Sequence, residues 1–576
     1  MQLRVFALDY DGTIEAEGRL HPEVGCAIHE ARSQGIVVVL ATGRQVEDLN
    51  RVIGDLTIFD AVVAENGAVL HFPESQRSAI LAPRPPESVA LQLRQRGVAI
   101  SQGMVVLDAD ANAAPVILDE IRRQELPLVL LFNRQRTMVL PQGVSKGSGL
   151  RAALEALRVS PHNAVGIGDA ENDHSLLETC EIGVAVNWGS PALQHAADEV
   201  LPGTGPAAVA AYMRSLLAHP QLPPERTGRR RLQLGTDHPT GAPFELAVRD
   251  RNVLIVGDPR SGKSWLAGLL AEQLILQGYC VCILDPEGDY ATLSSLPRVV
   301  TLGGEEPPPH PRDIWRALRY PDTSIVVDLS HLNLEDKREQ VAALLPALAS
   351  LRLETGFPHR ILLDEAHYFL AEPSIHSQLR LEDGGYLLAT YRMDQLPADA
   401  LASSEVVLAT RVTDPREVRA LAVYQDRNAD SLQTALGHLA LDEAVLLPNA
   451  TEANGSVRHL QLLPRLTLHV RHRQKYLDVP VLGRHAFVFT RGGVATGQRA
   501  ATLADFVRVI RADPPDVLSD HLRRGDLSRW IGHVFGDTLL ASQLAVLEHE
   551  YTAGDAADWR EAIAGCIEER YAADSV

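Results

Sequence analysis

The feature that most constrains the fold is a repeated alternation between short apolar runs and helical patterns, which occurs twice along the chain. In residues 1–213 the apolar runs include LRVFALDYDG, GIVVVLATGR, AVGIGDAEN and EIGVAVNW. In residues 232–464 they are RNVLIVG, YCVCILD, SIVVDL, HRILLDE, GYLLATY and EVVLATRV. Strands that alternate with helices favour parallel sheets with helices on both faces. The predicted fold class is therefore α/β, with several domains.

The same alternation sets the predicted domain boundaries. Residues 1–66 and 144–213 are predicted to form one Rossmann-like core, interrupted at 67–143 by a smaller α+β insertion with paired strand signals. A linker rich in proline and arginine, 214–231, breaks both periodicities. Residues 232–464 form the second α/β domain. Residues 465–576 begin with a basic strand pattern, LTLHVRHRQKY, and continue with mainly helical patterns.

Charge and composition narrow the classes of function. The formal net charge is −20, so the chain as a whole disfavours nucleic acid, and DNA binding would need a local basic channel or patch. The five cysteines have no framework spacing, which favours a reducing compartment. No apolar run approaches about 18 residues, so we expect no membrane span. We also expect no signal peptide, and the predicted location is the cytoplasm.

A pair of acidic residues follows the first apolar run, in FALDYDGTI. Asp9 and Asp11 are two residues apart, so strand alternation predicts that both carboxylates face one site. That site lies at the carboxyl end of a strand, where ligands bind in open α/β sheets. The pair suits a carboxylate nucleophile with an acid/base partner and a divalent metal. DYDGT by itself also fits an ordinary turn.

Three further stretches carry side chains suited to the same chemistry. Thr42 ends the second strand, in VVVLATGR, where its hydroxyl and the neighbouring backbone N–H suit a phosphate oxygen. Lys146 lies at a predicted helix start in VSKGSGL, where its ammonium and the helix N-terminus both favour an anion. Asp169 and Asp173 follow a strand in GIGDAENDHSLL and offer the hard oxygen ligands that Mg²⁺ prefers.

These stretches, in this order, resemble the haloacid dehalogenase superfamily of phosphatases over residues 1–213. AENGA and the insertion before Lys146 resemble the subgroup with a type-two cap, which includes sugar-phosphate and phosphoglycolate phosphatases. The resemblance implies that Asp9 is the nucleophile that forms an aspartyl-phosphate. It also implies that Asp11 protonates the leaving group and then activates water. The short cap indicates a small phosphorylated substrate.

The same resemblance implies roles for the other residues of this site. Thr42 and Lys146 would bind the transferring phosphoryl group. Asp173 would support the metal or orient the lysine. The cofactor would be Mg²⁺, and its ligands would be Asp9, the backbone carbonyl of Asp11, and Asp169.

A second phosphate site is predicted in VGDPRSGKSW. GDPRSGKS fits the pattern G-x-x-x-x-G-K-[ST], with a strand pattern before it and a helical pattern after it, as a nucleotide-binding loop requires. Backbone N–H groups of the loop would surround the β-phosphate, Lys263 would reach the β- and γ-phosphates, and Ser264 would bind Mg²⁺. The predicted ATP-binding residues of the loop are Gly257, Arg260, Ser261, Gly262, Lys263 and Ser264.

Acidic residues end another strand of this region, in RILLDEAHYFL. Asp364 is suited to the Mg²⁺ shell, and Glu365 is suited to polarising an attacking water. DEAH also suggests a DEAH-box helicase, but the sequence carries no other motif of that class. An apolar strand followed by an acidic helix turn is the plain alternative.

The stretches of residues 232–464 resemble, in their order, the HerA and FtsK class of P-loop ATPases. These stretches are LQLGTDHPTGAPFEL, GDPRSGKS, ILDPEGDY, LLDEAHYFL and YLLATYRMDQLP. The resemblance implies ATP binding, a hexameric ring, and for Arg411 the role of an arginine that spans two subunits. Tyr391 departs from the family, which has a glutamine there, and a tyrosine hydroxyl lacks the paired donor and acceptor of an amide. The barrel that often precedes such motors is absent, which puts DNA translocation in doubt.

The remaining features point to packing. Cys280 and Cys282 lie two apart on a predicted strand without a partner CxxC, so we expect them in a core. The C-terminal region resembles a small domain of unknown function appended to other proteins, with no catalytic set. Its stripe of core residues is Trp530, Ile531, Val534, Leu539 and Leu540.

Three hypotheses about function follow from these patterns. The first is a bifunctional enzyme, in which a Mg²⁺-dependent phosphatase for small phosphomonoesters is joined to a P-loop ATPase. The second is a DNA-directed ring motor whose N-terminal domain processes nucleotides or nucleic-acid ends. The third is a regulatory scaffold that binds ATP with weak turnover. A cap over the nucleophile disfavours a bulky polymer, and Tyr391 keeps the third hypothesis open.

Overall fold

The computed structural model describes residues 1–133, 135–222, 230–238, 240–247, 251–447, 457–467, 486–512, 515–535, 538–553 and 559–572. The chain divides into two compact units, of which the first comprises Met1–Pro286 and Tyr290–His469. The second comprises Glu287–Asp289 and Val470–Val576. Most of the predicted basic strand LTLHVRHRQKY, like Arg229 of the linker, lies outside the described residues.

Residues 1–222 alternate strands and helices as the sequence predicts. The helices are Pro22–Ser33, Val46–Val52, Glu87–Gln95, Ala114–Arg123, Lys146–Leu157, His174–Thr179, Pro191–Ala196 and Pro206–Ala218. The strands are β1 (Val5–Asp9), β2 (Glu15–Ala16), β3 (Arg19–Leu20), β4 (Val37–Ala41), β5 (Ala61–Ala64), β6 (Val69–Phe72), β7 (Arg77–Ile80), β8 (Ile100–Gln102), β9 (Leu107–Asp110), β10 (Leu128–Asn133), β11 (Arg136–Pro141), β12 (Ala164–Gly168), β13 (Ile182–Val186) and β14 (Glu199–Leu201).

The main sheet of this region has the strand order β14-β13-β12-β1-β4-β5-β6-β7. β1 lies in its middle, runs parallel to β12 and β4, and is buried along its whole length. Continuous apolar strands of this kind are typical of parallel sheets that are covered on both faces. The sheet therefore confirms the predicted Rossmann-like α/β core.

A second sheet, with the order β10-β11-β9-β8, forms the inserted α+β part. The insertion was predicted to begin at Gly67, but β6 and β7 extend the main sheet instead. They pair antiparallel with β5 in two successive hairpins, and the paired strand signals alone do not show which sheet a hairpin joins. The smaller sheet therefore starts at β8.

The eleven strands described between residues 232 and 462 form the largest sheet of the same compact unit. Its helices are Lys263–Leu276, Pro311–Ala317, Leu334–Thr355, His367–Leu370, Pro373–His376, Ala398–Ala402, Pro415–Gln425 and Ala429–Leu436. Its strands are β15 (Leu232–Asp237), β16 (Pro243–Leu246), β17 (Asn252–Val256), β18 (Val281–Asp285), β19 (Val299–Gly303), β20 (Ser324–Asp328), β21 (Arg360–Leu363), β22 (Tyr386–Thr390), β23 (Ser404–Ala409), β24 (Glu443–Leu447) and β25 (Arg458–Leu462).

The order in this sheet is β16-β15-β25-β24-β23-β17-β22-β21-β18-β20-β19. The segment from β23 to β19 is parallel and contains all six strands predicted from the sequence. Cys280 and Cys282 are buried in its core, as expected. β15, β16, β24 and β25 add an antiparallel edge that the predicted strands did not include.

The eight-stranded sheet and the eleven-stranded sheet of the first unit approach each other at the amino ends of their strands. His162, just before β12, stacks on Tyr279, just before β18, with ring centroids 3.8 Å apart. Asn163 accepts a hydrogen bond from His359, which precedes β21 (3.1 Å between Oδ1 and Nε2). The carboxyl ends of these strands, where ligands bind in such sheets, therefore lie away from this joint in each sheet.

The second unit is mainly helical, as predicted. It contains a hairpin of β26 (Phe487–Arg491) and β27 (Val494–Ala500). Trp530, Ile531 and Leu540 are buried in its core. Its helices are Leu503–Ala512, Pro515–Arg524, Asp526–Trp530, Thr538–Ala553 and Trp559–Ala572.

Among the described helices, none combines the length and the apolar character that a membrane crossing requires.

Candidate active sites at the carboxyl ends of two sheets

The first candidate site forms where β1, β4 and β12 end. Asp9 is the last residue of β1 and is in register with Ala41, the last residue of β4. Thr42 follows β4 directly, and Asp169 follows β12, the other neighbour of β1. Adjacent parallel strands thus bring the ends of three sequence motifs to one edge of the sheet.

Lys146 links this edge to the acidic stretch that follows β12, residues 169–173. Its Nζ donates to Oδ1 of Asp9 at 2.5 Å and to Oδ1 of Asp173 at 2.6 Å, and all three side chains are buried. Ser145 caps the helix of which Lys146 is the first residue, and this cap fixes where the helix begins. A Cβ on Gly67 would lie 1.9 Å from the Ser145 carbonyl oxygen, so the glycine of AENGA allows this helix start to approach.

The electrostatics of the cluster follow from its burial. Burial, followed by repulsion from Asp173, raises the pKa of Asp9 well above its ordinary value, and Lys146 opposes this shift. Burial alone would lower the pKa of Lys146, but the carboxylates of Asp173 and Asp9 raise it above its usual range. The lysine therefore stays protonated and holds one oxygen of the nucleophile candidate.

The donor set fits a divalent cation. Asp9, Asp169 and Asp173 offer carboxylate oxygens that all lie within 4.8 Å of one another, and all three residues are buried. Three carboxylates around one ammonium leave a negative charge that is costly to bury without a further cation. Asp173 uses its second oxygen to accept the backbone N–H groups of Asp169 and Ala170, each at 3.0 Å. Asp9 and Asp169 are thus the side chains best placed to hold Mg²⁺.

Asp11 is placed differently from Asp9. The strand ends at Asp9, so the alternation that predicts a shared face does not extend to Asp11. Its carboxylate forms an ion pair with Arg44, with 2.6 Å between Nη2 and Oδ1 and 3.0 Å between Nε and each oxygen. Thr42 is buried, and its hydroxyl oxygen accepts the backbone N–H of Arg44 at 3.1 Å. Arg44 was not predicted, although it stands two residues after Thr42.

The stretch AENGA ties the inserted sheet to this edge. Glu65 is buried, and its carboxylate accepts the backbone N–H groups of residues 104–106 at 2.8–2.9 Å. Asn66 accepts a hydrogen bond from Asn172 of the acidic stretch 169–173 at 3.1 Å. β10 of the inserted sheet packs against the turn Glu171–Asp173. The insertion therefore lies over the carboxylate cluster.

The second candidate site is the loop between β17 and the helix Lys263–Leu276. Nζ of Lys263 donates to the backbone carbonyl of Asp258 at 3.3 Å, inside the curve of the loop. Gly262 has a φ of 97°, a left-handed value that favours glycine. A Cβ on Gly257 would lie 1.9 Å from Oγ1 of Thr410, so only glycine fits there. The predicted loop residues Gly257, Arg260, Ser261, Gly262, Lys263 and Ser264 all lie on this turn or the first helical residues.

The acidic residues predicted for this site lie one strand further along. β22 separates β17 from β21, and Val256 is in register with Thr390 while Leu363 is in register with Leu388. Asp364, which follows Leu363, is therefore about 10 Å across the sheet from the loop, since strands are about 4.8 Å apart. Asp364 and Glu365 are both buried. This spacing leaves room for a phosphate and its metal between the loop and Asp364.

Arg411 follows β23, the other neighbour of β17. Its backbone carbonyl accepts the N–H of Asp258 at 2.8 Å, so Arg411 lies beside the loop of its own chain. Its side chain is partly exposed at this edge.

Comparison with known proteins identifies the first region. Residues 6–89 and 103–213 match the haloacid dehalogenase-like hydrolases. Phosphoglycolate phosphatase of Halorubrum lacusprofundi is 31% identical over 225 residues, which cover 36% of this chain and 96% of that protein. The chain belongs to the haloacid dehalogenase-like hydrolases. Phosphoglycolate phosphatase of Methanopyrus kandleri is 29% identical over 229 residues, covering 36% of this chain and 95% of that protein.

The resemblance of the second region is also confirmed. Residues 243–349 of the hydrolase match the central domain of the helicase HerA.

A solved haloacid dehalogenase-like hydrolase from B. subtilis is 20% identical, covers 37% of this chain and 100% of that chain, and has a TM-score of 0.33.

Tyr391, which departs from the HerA class, contacts the nucleotide loop. The centre of its ring lies 5.5 Å from Nζ of Lys263 and 4.5 Å from the ring of His367. Nδ1 of His367 lies 3.0 Å from Oγ1 of Thr390 and 3.6 Å from Oε2 of Glu365. These contacts link the acidic strand end to the loop lysine, and no role was predicted for the histidine, although it belongs to the stretch DEAH.

The aromatic ring of Tyr391, rather than its hydroxyl, is expected to support Lys263. We expect Tyr391→Phe to keep ATP affinity within about threefold, and Tyr391→Leu to weaken it about fivefold or more, because a partly desolvated cation–π contact contributes about 1–2 kcal/mol. Fluorescent-nucleotide titration measures both variants. Equal affinities for the Phe and Leu variants would contradict a role for the ring.

The buried histidine beside Tyr391, His367, predicts that the folded chain loses stability in acid. Burial, then the charge of Lys263, lowers the pKa of His367 to about 3, whereas an unfolded histidine titrates near 6.5. The unfolded chain therefore binds a proton between these values and the folded chain does not, so stability falls as the pH drops below about 6.5. At pH 5 the loss is about 2 kcal/mol.

Denaturant unfolding at pH 7 and pH 5 measures this effect. His367→Asn should lose about 2 kcal/mol less than the native chain on acidification, and His331→Asn, at an exposed histidine, should behave like the native chain. The same pH dependence in native and His367→Asn proteins would show that His367 is not responsible.

Proposed function

We propose that the chain is a bifunctional enzyme: a Mg²⁺-dependent phosphatase for a small phosphomonoester, joined to an ATP-hydrolysing P-loop domain. The observation that carries the first activity is the buried bridge from Asp9 through Lys146 to Asp173, beside Asp169. A nucleophilic carboxylate needs its charge held in place without being neutralised, and a lysine shared with a second carboxylate does this.

The proposed phosphatase chemistry assigns a role to each residue around Asp9. Asp9 attacks the phosphorus atom through Oδ2, which accepts the Thr13 hydroxyl at 3.0 Å, because Lys146 holds Oδ1. Lys146 and the hydroxyl of Thr42 hold the oxygens of the phosphoryl group. Asp11 leaves its ion pair with Arg44 and takes up a proton from solvent, which it donates to the leaving oxygen; the resulting carboxylate then takes a proton from the water that hydrolyses the aspartyl-phosphate.

Mg²⁺ bound by Asp9, Asp169 and the backbone carbonyl of Asp11 would neutralise charge on the transferring phosphoryl oxygens. Asp173 serves this arrangement indirectly. It orients Lys146 with one oxygen and holds the backbone of the Asp169 loop with the other.

Phosphoglycolate is the first substrate to test. It is the substrate named for the curated relatives, of which this chain covers 95–96% in the two cases above. The inserted sheet lies over the cluster through β10, which limits the size of the leaving group. Arg44, 30% exposed at the edge of the cluster, is the cation available to a substrate carboxylate.

The proposed ATP site uses the loop and the acidic strand end. Backbone N–H groups of Gly257, Arg260, Ser261 and Gly262 would surround the phosphates, and Lys263 would move from the Asp258 carbonyl to the β- and γ-phosphates. Ser264 and Asp364 would share the Mg²⁺, and Glu365 would orient the water. Arg411 would serve a neighbouring subunit in a ring, as the resemblance to HerA implies.

Two alternatives use the same sites. A DNA-directed ring motor is favoured by the match to the HerA central domain, but the net charge of −20 disfavours DNA. A regulatory scaffold that binds ATP with weak turnover is favoured by Tyr391, which occupies the position next to the loop lysine.

Orthophosphate release tests these functions in one panel. The full-length chain is assayed with Mg²⁺ on p-nitrophenyl phosphate, phosphoglycolate and ATP, with and without double-stranded DNA. Turnover of the phosphomonoesters and of ATP, unchanged by DNA, supports the bifunctional enzyme. ATP turnover that requires DNA would favour the ring motor, and tight ATP binding without turnover would favour the scaffold.

A further inference from the structure

A cavity lies at the joint between the eight-stranded and the eleven-stranded sheets of the first unit. Its volume is about 100 Å³, and residues of both sheets line it. His162 and Glu181 come from the hydrolase region, and Tyr279, Arg352 and His359 come from the ATPase region. Neither of the candidate active sites includes any of these residues.

Arginine side chains dominate the ATPase side of this joint cavity. Arg352 donates from Nε to the Pro358 carbonyl at 3.0 Å and from Nη1 to the Gly384 carbonyl at 2.9 Å. Its Nη2 is buried and makes no hydrogen bond within the part of the chain that the structure describes. Arg360, next along the lining, is fully buried and donates to the Arg251 carbonyl at 3.1 Å. The buried Nη2 of Arg352 therefore carries a desolvation cost that an acceptor would offset.

The carboxylates of the cavity wall already have partners. Glu181 lies 2.8 Å from Nδ1 of His162 and accepts the hydroxyl of Tyr279 at 3.0 Å. Asp383 pairs with Arg380, with 2.9 Å between Oδ2 and Nε. Both lining carboxylates are thus engaged by other side chains, whereas Nη2 of Arg352 is a buried donor on this wall that an anion can satisfy.

The two lining histidines, His162 and His359, bring no negative charge to the cavity. Burial lowers the pKa of His359 well below its ordinary value, and its Nδ1 accepts the backbone N–H of Cys280 at 2.8 Å, so the ring is neutral. His162 faces oxygen atoms with both ring nitrogens, Glu181 at one and the Gln277 carbonyl at the other, 2.9 Å away. Neither ring adds negative charge to the wall.

We propose that the joint cavity binds a small oxyanion of the size of orthophosphate, with Arg352 as its principal ligand. Tetrahedral oxyanions present several acceptors to converging guanidinium N–H groups. A volume of about 100 Å³ admits one phosphate. Both proposed reactions release orthophosphate, so the anion that binds in this cavity would be the product that the two reactions share.

The cavity lies beside the amino ends of strands from both sheets. His162 precedes β12, whose other end leads to Asp169, and His359 precedes β21, whose other end leads to Asp364. An anion at Arg352 would therefore contact the amino ends of strands whose carboxyl ends carry the candidate metal ligands of each site.

Equilibrium dialysis with ³²P-orthophosphate tests the proposal in the full-length chain. Asp9→Asn and Lys263→Ala are both present, and the buffer contains EDTA, so that neither candidate active site retains its full phosphate ligands. We expect one saturable site to persist on this background. Adding Arg352→Gln should weaken it about tenfold or more, because a charge-assisted contact is lost. Arg380→Gln, at a partly exposed residue of the same wall, should also weaken it and gives a second test if the first variant unfolds.

Arg338→Gln is the matched control. Arg338 lies on the same helix as Arg352 and also donates to a backbone carbonyl, that of Tyr368, away from the cavity. It should leave phosphate affinity unchanged. The proposal would be overturned by an absence of saturable binding on the background, or by folded Arg352→Gln and Arg380→Gln proteins that both bind phosphate as tightly as the background does.

Discussion

Asp9→Asn is expected to reduce phosphate release from phosphoglycolate and p-nitrophenyl phosphate by at least about a thousandfold, because removing a covalent nucleophile removes the intermediate itself. The substitution keeps the size of the side chain, and an amide oxygen still accepts the hydrogen bond from Lys146. The expected loss is therefore chemical rather than structural. Orthophosphate release under saturating substrate and Mg²⁺ measures it.

Asp48→Asn is the control for this substitution. Asp48 lies in the helix Val46–Val52 of the same region and pairs only with the exposed Arg51 in the described contacts. It should retain full phosphatase activity. If Asp9→Asn also retained most of its activity while folded, Asp9 would not be the nucleophile.

Lys263→Ala is expected to lower ATP turnover by about a hundredfold or more and to weaken ATP binding, while phosphatase activity stays unchanged. The lysine supplies the ammonium that reaches the β- and γ-phosphates, and removing one charge-stabilising donor typically costs 10²–10³-fold in rate. The phosphatase should be unaffected, because the two sites lie at strand ends that point away from the joint between the sheets.

The matched experiment is the same ATPase assay on Asp9→Asn, which should hydrolyse ATP like the native chain. A joint loss of both activities in the folded Lys263→Ala protein would contradict independent sites and would indicate that the phosphatase depends on the ATP-bound state.

The sequence predicted the residues that lie at strand ends. Asp9, Lys146 and Asp169 each belong to a short motif whose strand or helix places it, so local pattern and sheet topology suffice to bring them together. The nucleotide loop is predictable for the same reason. Both parallel sheets follow from the alternation of apolar runs and helical patterns.

Other features depend on contacts between segments far apart in the chain. Arg44 pairs with Asp11 because the chain turns after Asp9, and alternation does not anticipate that turn. His162 contacts Tyr279, which lies 117 positions later in the chain, and a lone histidine before a strand carries no pattern that predicts a partner. β6 and β7 join the main sheet rather than the insertion, since strand signals do not encode which neighbour a hairpin takes.

The central claim is that one chain holds two hydrolytic sites that act on different substrates, and that Asp9 receives its phosphoryl group from a phosphomonoester rather than from ATP. Rapid acid quenching, followed by peptide mapping of the native chain, tests it with two labelled substrates. Label from the ³²P-phosphoryl group of phosphoglycolate should appear transiently on the peptide that contains Asp9. Label from γ-³²P-ATP should appear only as orthophosphate. Label from ATP on Asp9, or none there from any phosphomonoester that is turned over, would contradict the claim.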